Sequence, residues 1–179
     1  NVFISGSTKG IGKAIALQLS KKDFNVFLHG RSKKELQQVV NLIEDRQNKK
    51  IRSITADFLK EKDLKKVSNF LKKNSIEILI NNAGEYSSGN IFNSSTQQMK
   101  NLFQVNFFSI FALIKDFVKW KKDNFIIINL NSFAGKNSSK NEIVYSATKH
   151  ALRSLGNSLK EEFIGKKVKI IDLFLGAVK

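Results

Sequence analysis

The chain has no cysteine, which excludes a disulfide framework and any thiolate metal site and agrees with an expected cytoplasmic location. It has no proline either, so a proline missing at any one position is first a matter of composition. Arginine is scarce: only Arg31, Arg46, Arg52 and Arg153 carry guanidinium groups, although the net charge is +16. The positive excess is therefore nearly all lysine, scattered along every expected helix. A surface built for nucleic acid or anionic membrane would gather its cations into a stripe or patch. Neither a stripe nor a nucleic-acid motif is found, and the charge reads as part of a Lys-, Asn-, Ile- and Phe-rich composition. Uninterrupted hydrophobic runs are lacking too. The longest apolar stretch, Leu102 to Val118, is broken by Gln104, Asn106, Ser109, Lys115 and Asp116, and is expected to be too short and too polar to span a bilayer. The chain opens on the strand-like Asn1-Val-Phe-Ile-Ser5 with no signal peptide and no initiating Met, as expected if residues ahead of it were lost.

What remains is an ordinary globular composition, 41% hydrophobic over 179 residues, long enough for one domain with a sizeable core, spanning 1–179. Short runs of Ile, Val, Leu and Phe predict buried parallel strands at Val2–Ser5, Val26–His29, Ile51–Thr55, Ile76–Asn81, Phe125–Asn131 and Val168–Leu173. Amphipathic stretches between them predict helices near 10–21, 33–47, 61–73, 97–119 and 144–163. In the third, Leu64, Val67 and Leu71 recur at helical spacing with lysines opposite. This βαβαβ order predicts an α/β fold, a parallel sheet with helices on both faces. Helix 97–119 is apolar nearly all round, with Leu102, Phe103, Phe107, Phe108, Phe111, Leu113, Ile114 and Phe117. Part of its face is expected to meet a second subunit, with deep burial in a larger chain as the alternative. The loop Glu85–Ser95, rich in Ser, Asn and Gly, is expected at the surface near the site.

Directly after the first strand comes Gly6-Ser7-Thr8-Lys9-Gly10-Ile11-Gly12, followed by a helix. Glycines allow a tight turn and close approach of backbone to a pyrophosphate, and the helix start adds unpaired N–H groups and a positive dipole end. The spacing is G-x-x-x-G-x-G, not the commoner G-x-G-x-x-G. Its strand–loop–helix setting is what lifts it above a chance cluster. At the end of the second strand an NAD enzyme places an acid to accept from the ribose 2′-hydroxyl. Here stand His29-Gly30-Arg31-Ser32, with no acid before Glu35. Arg31 can pair with a 2′-phosphate, Ser32 can add a hydrogen bond, and Lys9 belongs to the loop facing the same place, so NADP(H) is the expected cofactor.

Those glycines, with Asn81-Asn82-Ala83-Gly84 after the fourth strand and Tyr145-Ser-Ala-Thr-Lys149, resemble the short-chain dehydrogenase/reductase family through essentially the whole chain. The resemblance implies a Rossmann-type doubly wound sheet and an NADP-dependent enzyme acting on CH–OH groups, of the carbonyl reductase or 3-oxoacyl-carrier-protein reductase type. It implies that Asp57 binds the adenine amino group with the backbone of Phe58 close by. Asn82, Ala83 and Gly84 would line the nicotinamide ribose, Lys149 would hold the ribose hydroxyls, and Asn106 would anchor a water in the proton relay. Gly176 and Val178, after the last strand, would also meet the cofactor. Ser132 stands at the family's serine position. A homodimer or homotetramer through helices 97–119 and 144–163 is also implied.

Residue chemistry agrees with these roles. A phenol has a pKa of about 10 and is a poor base at neutral pH. Residues i and i+4 share a helix face, so Lys149 is expected to stabilise the Tyr145 phenolate and lower its pKa. Ser132 can then hydrogen-bond the oxygen of a small carbonyl or alcohol substrate. A Tyr and a Lys four apart are usually only a packing pair. The glycine loop, N-N-A-G and Ser132 change that reading. Asn106 lies in an apolar helix, where a polar side chain is costly without a partner. His29 and His150 lack metal-ligand company and are expected to be structural or solvent-facing, so no metal is expected. Trp120 is expected to pack.

The sequence departs from the family pattern at Ser5, where Thr is usual, at Asn131, where a second Ser is frequent, and at Leu175-Gly176, where Pro-Gly is frequent. Related chains continue past Lys179 through a substrate-covering segment and another strand, so the C-terminal strand and cap are expected to be missing and the sixth strand to be an open edge. A dinucleotide-binding regulatory or scaffold protein without turnover is the alternative function. Retention of Ser132, Tyr145 and Lys149 argues against it.

Overall fold

A computed structural model describes residues 1–47 and 51–176. The strands are β1 (Val2–Ile4), β2 (Val26–Gly30), β3 (Arg52–Thr55), β4 (Ile78–Asn81), β5 (Phe125–Ser132) and β6 (Val168–Leu175). They form one six-stranded sheet in the order β3-β2-β1-β4-β5-β6, and every pairing is parallel. Helices α1 (Gly10–Ser20) and α2 (Lys33–Gln47) cover one face. The other is covered by α3 (Glu61–Lys73), α5 (Ser109–Lys121) and α6 (Ile143–Glu162). This is the expected Rossmann-type doubly wound sheet.

Alternation along the strands builds the two layers. Val2, Ile4, Leu28 and Ile80 pack against Ala16 of α1 and Leu36, Val39 and Ile43 of α2. Phe3, Phe27, Leu79 and Ile127 pack against Leu64, Val67 and Leu71 of α3, Leu113 and Phe117 of α5, and Leu152 of α6. Helix α3 also carries Glu61 and Asp63 in its first turn and Lys72 and Lys73 in its last, matching the helix dipole at both ends. Parallel register sets Asn81, Asn129 and Asp172 side by side on β4, β5 and β6. Their side chains form a hydrogen-bonded ladder, Asn81 to Asn129 at 2.9 Å and Asn129 to Asp172 at 2.9 Å.

The helix expected at 97–119 is a continuous run in three parts: α4 (Thr96–Phe103), a π-helical turn (Gln104–Phe108) and α5. Ser95 caps α4 by accepting from the Gln98 N–H at 3.1 Å. Counted whole, the run Thr96–Lys121 has 26 residues and is long and apolar enough to cross a membrane by length and composition only, a test that core helices also pass. Much of its apolar surface meets the sheet layer, with Ile110, Leu113, Ile114 and Phe117 buried. Phe108 and Phe111 are exposed. At the end of the sheet, among the described residues, β6 pairs with β5 alone, and Ile171 and Leu173 are exposed.

Candidate active site

β1 and β4 are neighbours, and the chain leaves them toward opposite faces; at such a switch point two loops part and open a crevice. The β1–α1 loop and the β4 loop meet there, and side chains bolt them together. The Asn82 amide donates to the carbonyls of Ser5 and Gly6, both at 2.8 Å. Ser5 Oγ accepts from the N–H groups of Asn82 and Ala83 at 3.0 and 2.9 Å. The hydroxyl that replaces the family's threonine therefore does the joining. Packing is tight enough to require glycine. Gly6 has φ +64°, and a Cβ there would lie 2.9 Å from the Ala83 Cα, while one at Gly12 would strike the Gly6 carbonyl and the Asn82 amide.

A cleft of about 970 Å³ runs over this junction, lined by Gly6, Thr8, Lys9, Gly10, Ile11, Ala14, His29, Gly30, Arg31, Ser32, Glu35, Asp57, Phe58, Asn82, Ala83, Gly84, Glu85 and Val105. Nearly all of the residues expected to hold the dinucleotide's adenosine and phosphate part line it. Two of the loop residues do not. Ser7 is fully buried and its hydroxyl is spent on β2, donating to the His29 carbonyl at 3.1 Å and accepting from the His29 N–H at 3.0 Å. Gly12 is buried beneath the turn. No side chain caps α1 at Lys9, so the first-turn amides are left for an anion in the cleft. The residues fit a nicotinamide dinucleotide.

His29 is structural and buried. Its Nδ1 accepts from the Gly6 N–H at 3.1 Å and Nε2 faces the Ala56 carbonyl at 3.1 Å, so the proton belongs on Nε2. Its ring stacks on Phe58 with centroids 4.3 Å apart. Burial lowers its pKa to about 4. At the rim, Ser32 Oγ accepts from the Glu35 N–H at 3.3 Å, capping α2, and Arg31 pairs with Glu85 at 2.5 Å.

A second cleft of about 680 Å³ adjoins the first through Ile11, Asn82, Gly84 and Glu85. It is lined by Ser132, Tyr145 and Lys149 as expected, with Tyr86, Asn131, Phe133, Glu142 and Gly176. Ser132 ends β5 and Tyr145 and Lys149 lie in the first turns of α6, so the sheet and one helix bring all three together. Ser132 and Tyr145 line the same cleft. Lys149 is buried, donates to the Leu130 carbonyl at 3.1 Å, and has its Nζ 5.8 Å from the Tyr145 ring centre. Burial, unrelieved by an acid, lowers its pKa to about 8.

One expectation needs correction. Tyr145 is not shifted downward: its pKa is raised by burial, with the Ser132 side chain opposing and the Glu142 charge adding to the rise. Asn131 is buried, its amide donating to the Lys149 carbonyl at 3.1 Å and its oxygen accepting from the Ser132 N–H at 2.8 Å, so it docks α6 on β5. The Asn106 side chain holds protein groups directly. It accepts from the Glu85 N–H and donates to the Glu85 carbonyl, both at 2.8 Å, and donates to Thr148 Oγ1 at 3.1 Å. The π turn delivers it there. Val178 lies outside the described residues.

Glu85, Tyr86 and Glu142 were missed as site residues. Tyr86 Oη donates to Glu142 at 3.0 Å, and its ring meets the Tyr145 ring edge-on at 5.0 Å. The signal was position alone: two follow N-N-A-G and the third precedes Tyr145 by three residues. A further recess at the opposite end of the strands, beside Asn1, Phe24, Arg52 and Asn74, gathers none of these groups.

Fold and site together define a dinucleotide-binding oxidoreductase of the Rossmann type. The family model for short chain dehydrogenases matches residues 1–179, and the chain belongs to that family. It is similar to an uncharacterised oxidoreductase of Staphylococcus epidermidis, 27% identical over 98% of this chain and 76% of the relative. It is also similar to the 3-oxoacyl-[acyl-carrier-protein] reductase of Buchnera aphidicola, 30% identical over 99% of this chain and 72% of that one. Among solved structures, the bulky-bulky ketone specific alcohol dehydrogenase of Comamonas testosteroni superposes with a TM-score of 0.93, at 26% identity, over 98% of this chain and 72% of that one.

Proposed function

We propose that the protein is an NADP(H)-dependent oxidoreductase that interconverts a carbonyl and an alcohol. The observation that carries this reading is the meeting of Ser132, Tyr145 and Lys149 in the second cleft, which adjoins the cleft lined by the glycine loop. When bound, the nicotinamide supplies or accepts a hydride at the substrate carbon. Lys149 holds the ribose hydroxyls and Ser132 holds the substrate oxygen. Tyr145 Oη gives that oxygen a proton in reduction and takes one in oxidation. A phenol whose pKa is raised by burial stays protonated at neutral pH, the state in which it can donate a proton.

Preference for NADP(H) is supported by Arg31, Ser32 and Lys9 at the cleft and by the lack of an acid at the end of β2. The Buchnera reductase and the Comamonas dehydrogenase both act on a ketone or its alcohol by name, so 3-oxoacyl thioesters and bulky ketones belong in the first substrate panel. Exposed Phe108 and Phe111 support a homodimer or homotetramer formed through α5 and α6.

The test is NADPH oxidation across that panel by the wild type and Tyr145→Phe, with binding followed by nucleotide fluorescence. Turnover that falls about 10²–10⁴-fold in the variant with binding retained is expected. NADPH binding without turnover of any carbonyl would favour the non-catalytic reading. Arg31→Ala should weaken NADPH far more than NADH; equal losses would sink the 2′-phosphate assignment.

A further inference from the structure

We infer that Glu85 sets the margin by which this protein prefers NADP(H) over NAD(H), by competing with the cofactor's 2′-phosphate for Arg31; this rests on the NADP(H) reading above. Arg31 follows β2 and Glu85 follows the N-N-A-G loop of β4, so the two approach from opposite walls of the dinucleotide cleft, and both line it. Their ion pair, Nη1 to Oε1 at 2.5 Å, closes a bridge between those walls.

Glu85 is held for this purpose from behind. Asn106 binds both its N–H and its carbonyl, so the backbone is pinned and the carboxylate reaches the guanidinium from a fixed point. Arg31 and Glu85 side chains are 59% and 35% exposed. An ion pair in that setting is weak enough to exchange. A dianionic phosphate is the stronger partner for a guanidinium, whereas the 2′-hydroxyl of NADH offers Arg31 no charge in exchange. NADPH therefore draws on the same guanidinium that Glu85 holds through Nη1, and NADH does not. Among the charged groups lining the cleft, Lys9 and Arg31 are countered by Glu35, Asp57 and Glu85, but only Glu85 is seen bonded to the arginine. Glu85 is a specificity-determining residue that acts through Arg31.

Dissociation constants for NADPH and NADH should be measured by fluorescence titration for the wild type, Glu85→Gln, Arg31→Ala and the double variant. Glutamine keeps the shape and the backbone bonds while removing the charge. The expected result is an NADPH-over-NADH affinity ratio raised about two- to fivefold by Glu85→Gln, a gain that vanishes when Arg31 is absent. A ratio unchanged by Glu85→Gln, or an equal gain in the double variant, overturns the inference while leaving the cofactor reading intact if Arg31→Ala remains selective. Equal weakening of both cofactors by Arg31→Ala overturns the cofactor reading and this inference with it.

Discussion

His29 holds the phosphate loop and the strand before Asp57 with one neutral ring, and that makes it a pH-sensitive support. Burial lowers its pKa from 6.5 to about 4. Between those values the unfolded chain binds a proton that the folded chain refuses. The stabilisation is therefore complete above about pH 6.5, declines as pH falls through the window and is gone below about 4; its size is about 3 kcal/mol. Urea midpoints at pH 7, 5.5 and 4 should show the decline, and His29→Gln should flatten it. Lys149 obeys the same sign at higher pH. Its pKa is lowered to about 8, so below that pH the fold carries a buried cation. Lys149→Met should abolish turnover yet raise stability at pH 7 by about 1–2 kcal/mol, less than the full shift because the Leu130 carbonyl loses its donor. That gain should shrink as pH rises from about 8 toward 10.5, where the lysine sheds its charge more readily folded than unfolded. Lower stability of the variant at pH 7 in thermal melts would refute this account. These residues were visible in the sequence as types and spacings. Their titration was not, because burial and not the i,i+4 spacing dominates it: the lowered Tyr145 pKa expected from Lys149 turned out to be raised.

Between elements, the Asn82 amide is the main tie. Asn82→Ala would leave the Ser5 and Gly6 carbonyls without their donor, at a cost of about 1–3 kcal/mol. Because both carbonyls belong to the phosphate loop, NADPH affinity should fall in parallel with the urea midpoint; a loss of stability with unchanged affinity would show that the loop keeps its shape alone. Periodicity located every strand and every main helix of the described residues, with α2 and α3 at their expected limits. Other ends moved by one to a few residues, as at Ile51 and Ile76, which lie just before β3 and β4. The π turn was not legible. Hydrophobic spacing runs through it smoothly, and the extra residue serves Asn106, whose partners on Glu85 and Thr148 lie 21 and 42 positions away. Asn131 is a similar case, because its bonds to Lys149 and Ser132 that dock α6 on β5 form only in the fold.

Across the whole molecule, exposed Phe108 and Phe111 extend an aromatic row in which Phe107 contacts both, at ring-centre distances of 5.5 and 6.4 Å. If this row is the homo-oligomer surface, Phe108→Glu with Phe111→Glu should reduce the mass seen by light scattering to that of one chain. An unchanged mass would remove α5 from the interface. The charge of +16 should show itself only as nucleic-acid retention that falls steeply with salt and ignores sequence.

By itself the sequence determined the parallel sheet, the glycine loop and the Tyr145 and Lys149 pair, because local patterns carry them: short apolar runs, a turn that only glycine tolerates, and an i,i+4 spacing on one helix. Ser132 and the catalytic reading of the pair came from the family resemblance. Tertiary structure alone decided which of those groups are buried, which amides are already spent and which charges face one another. Arg31 shows the division. Its place at the end of β2 is written in the chain, but its partnership with Glu85 exists only because parallel topology puts β1 between their two strands and opens both loops onto one cleft.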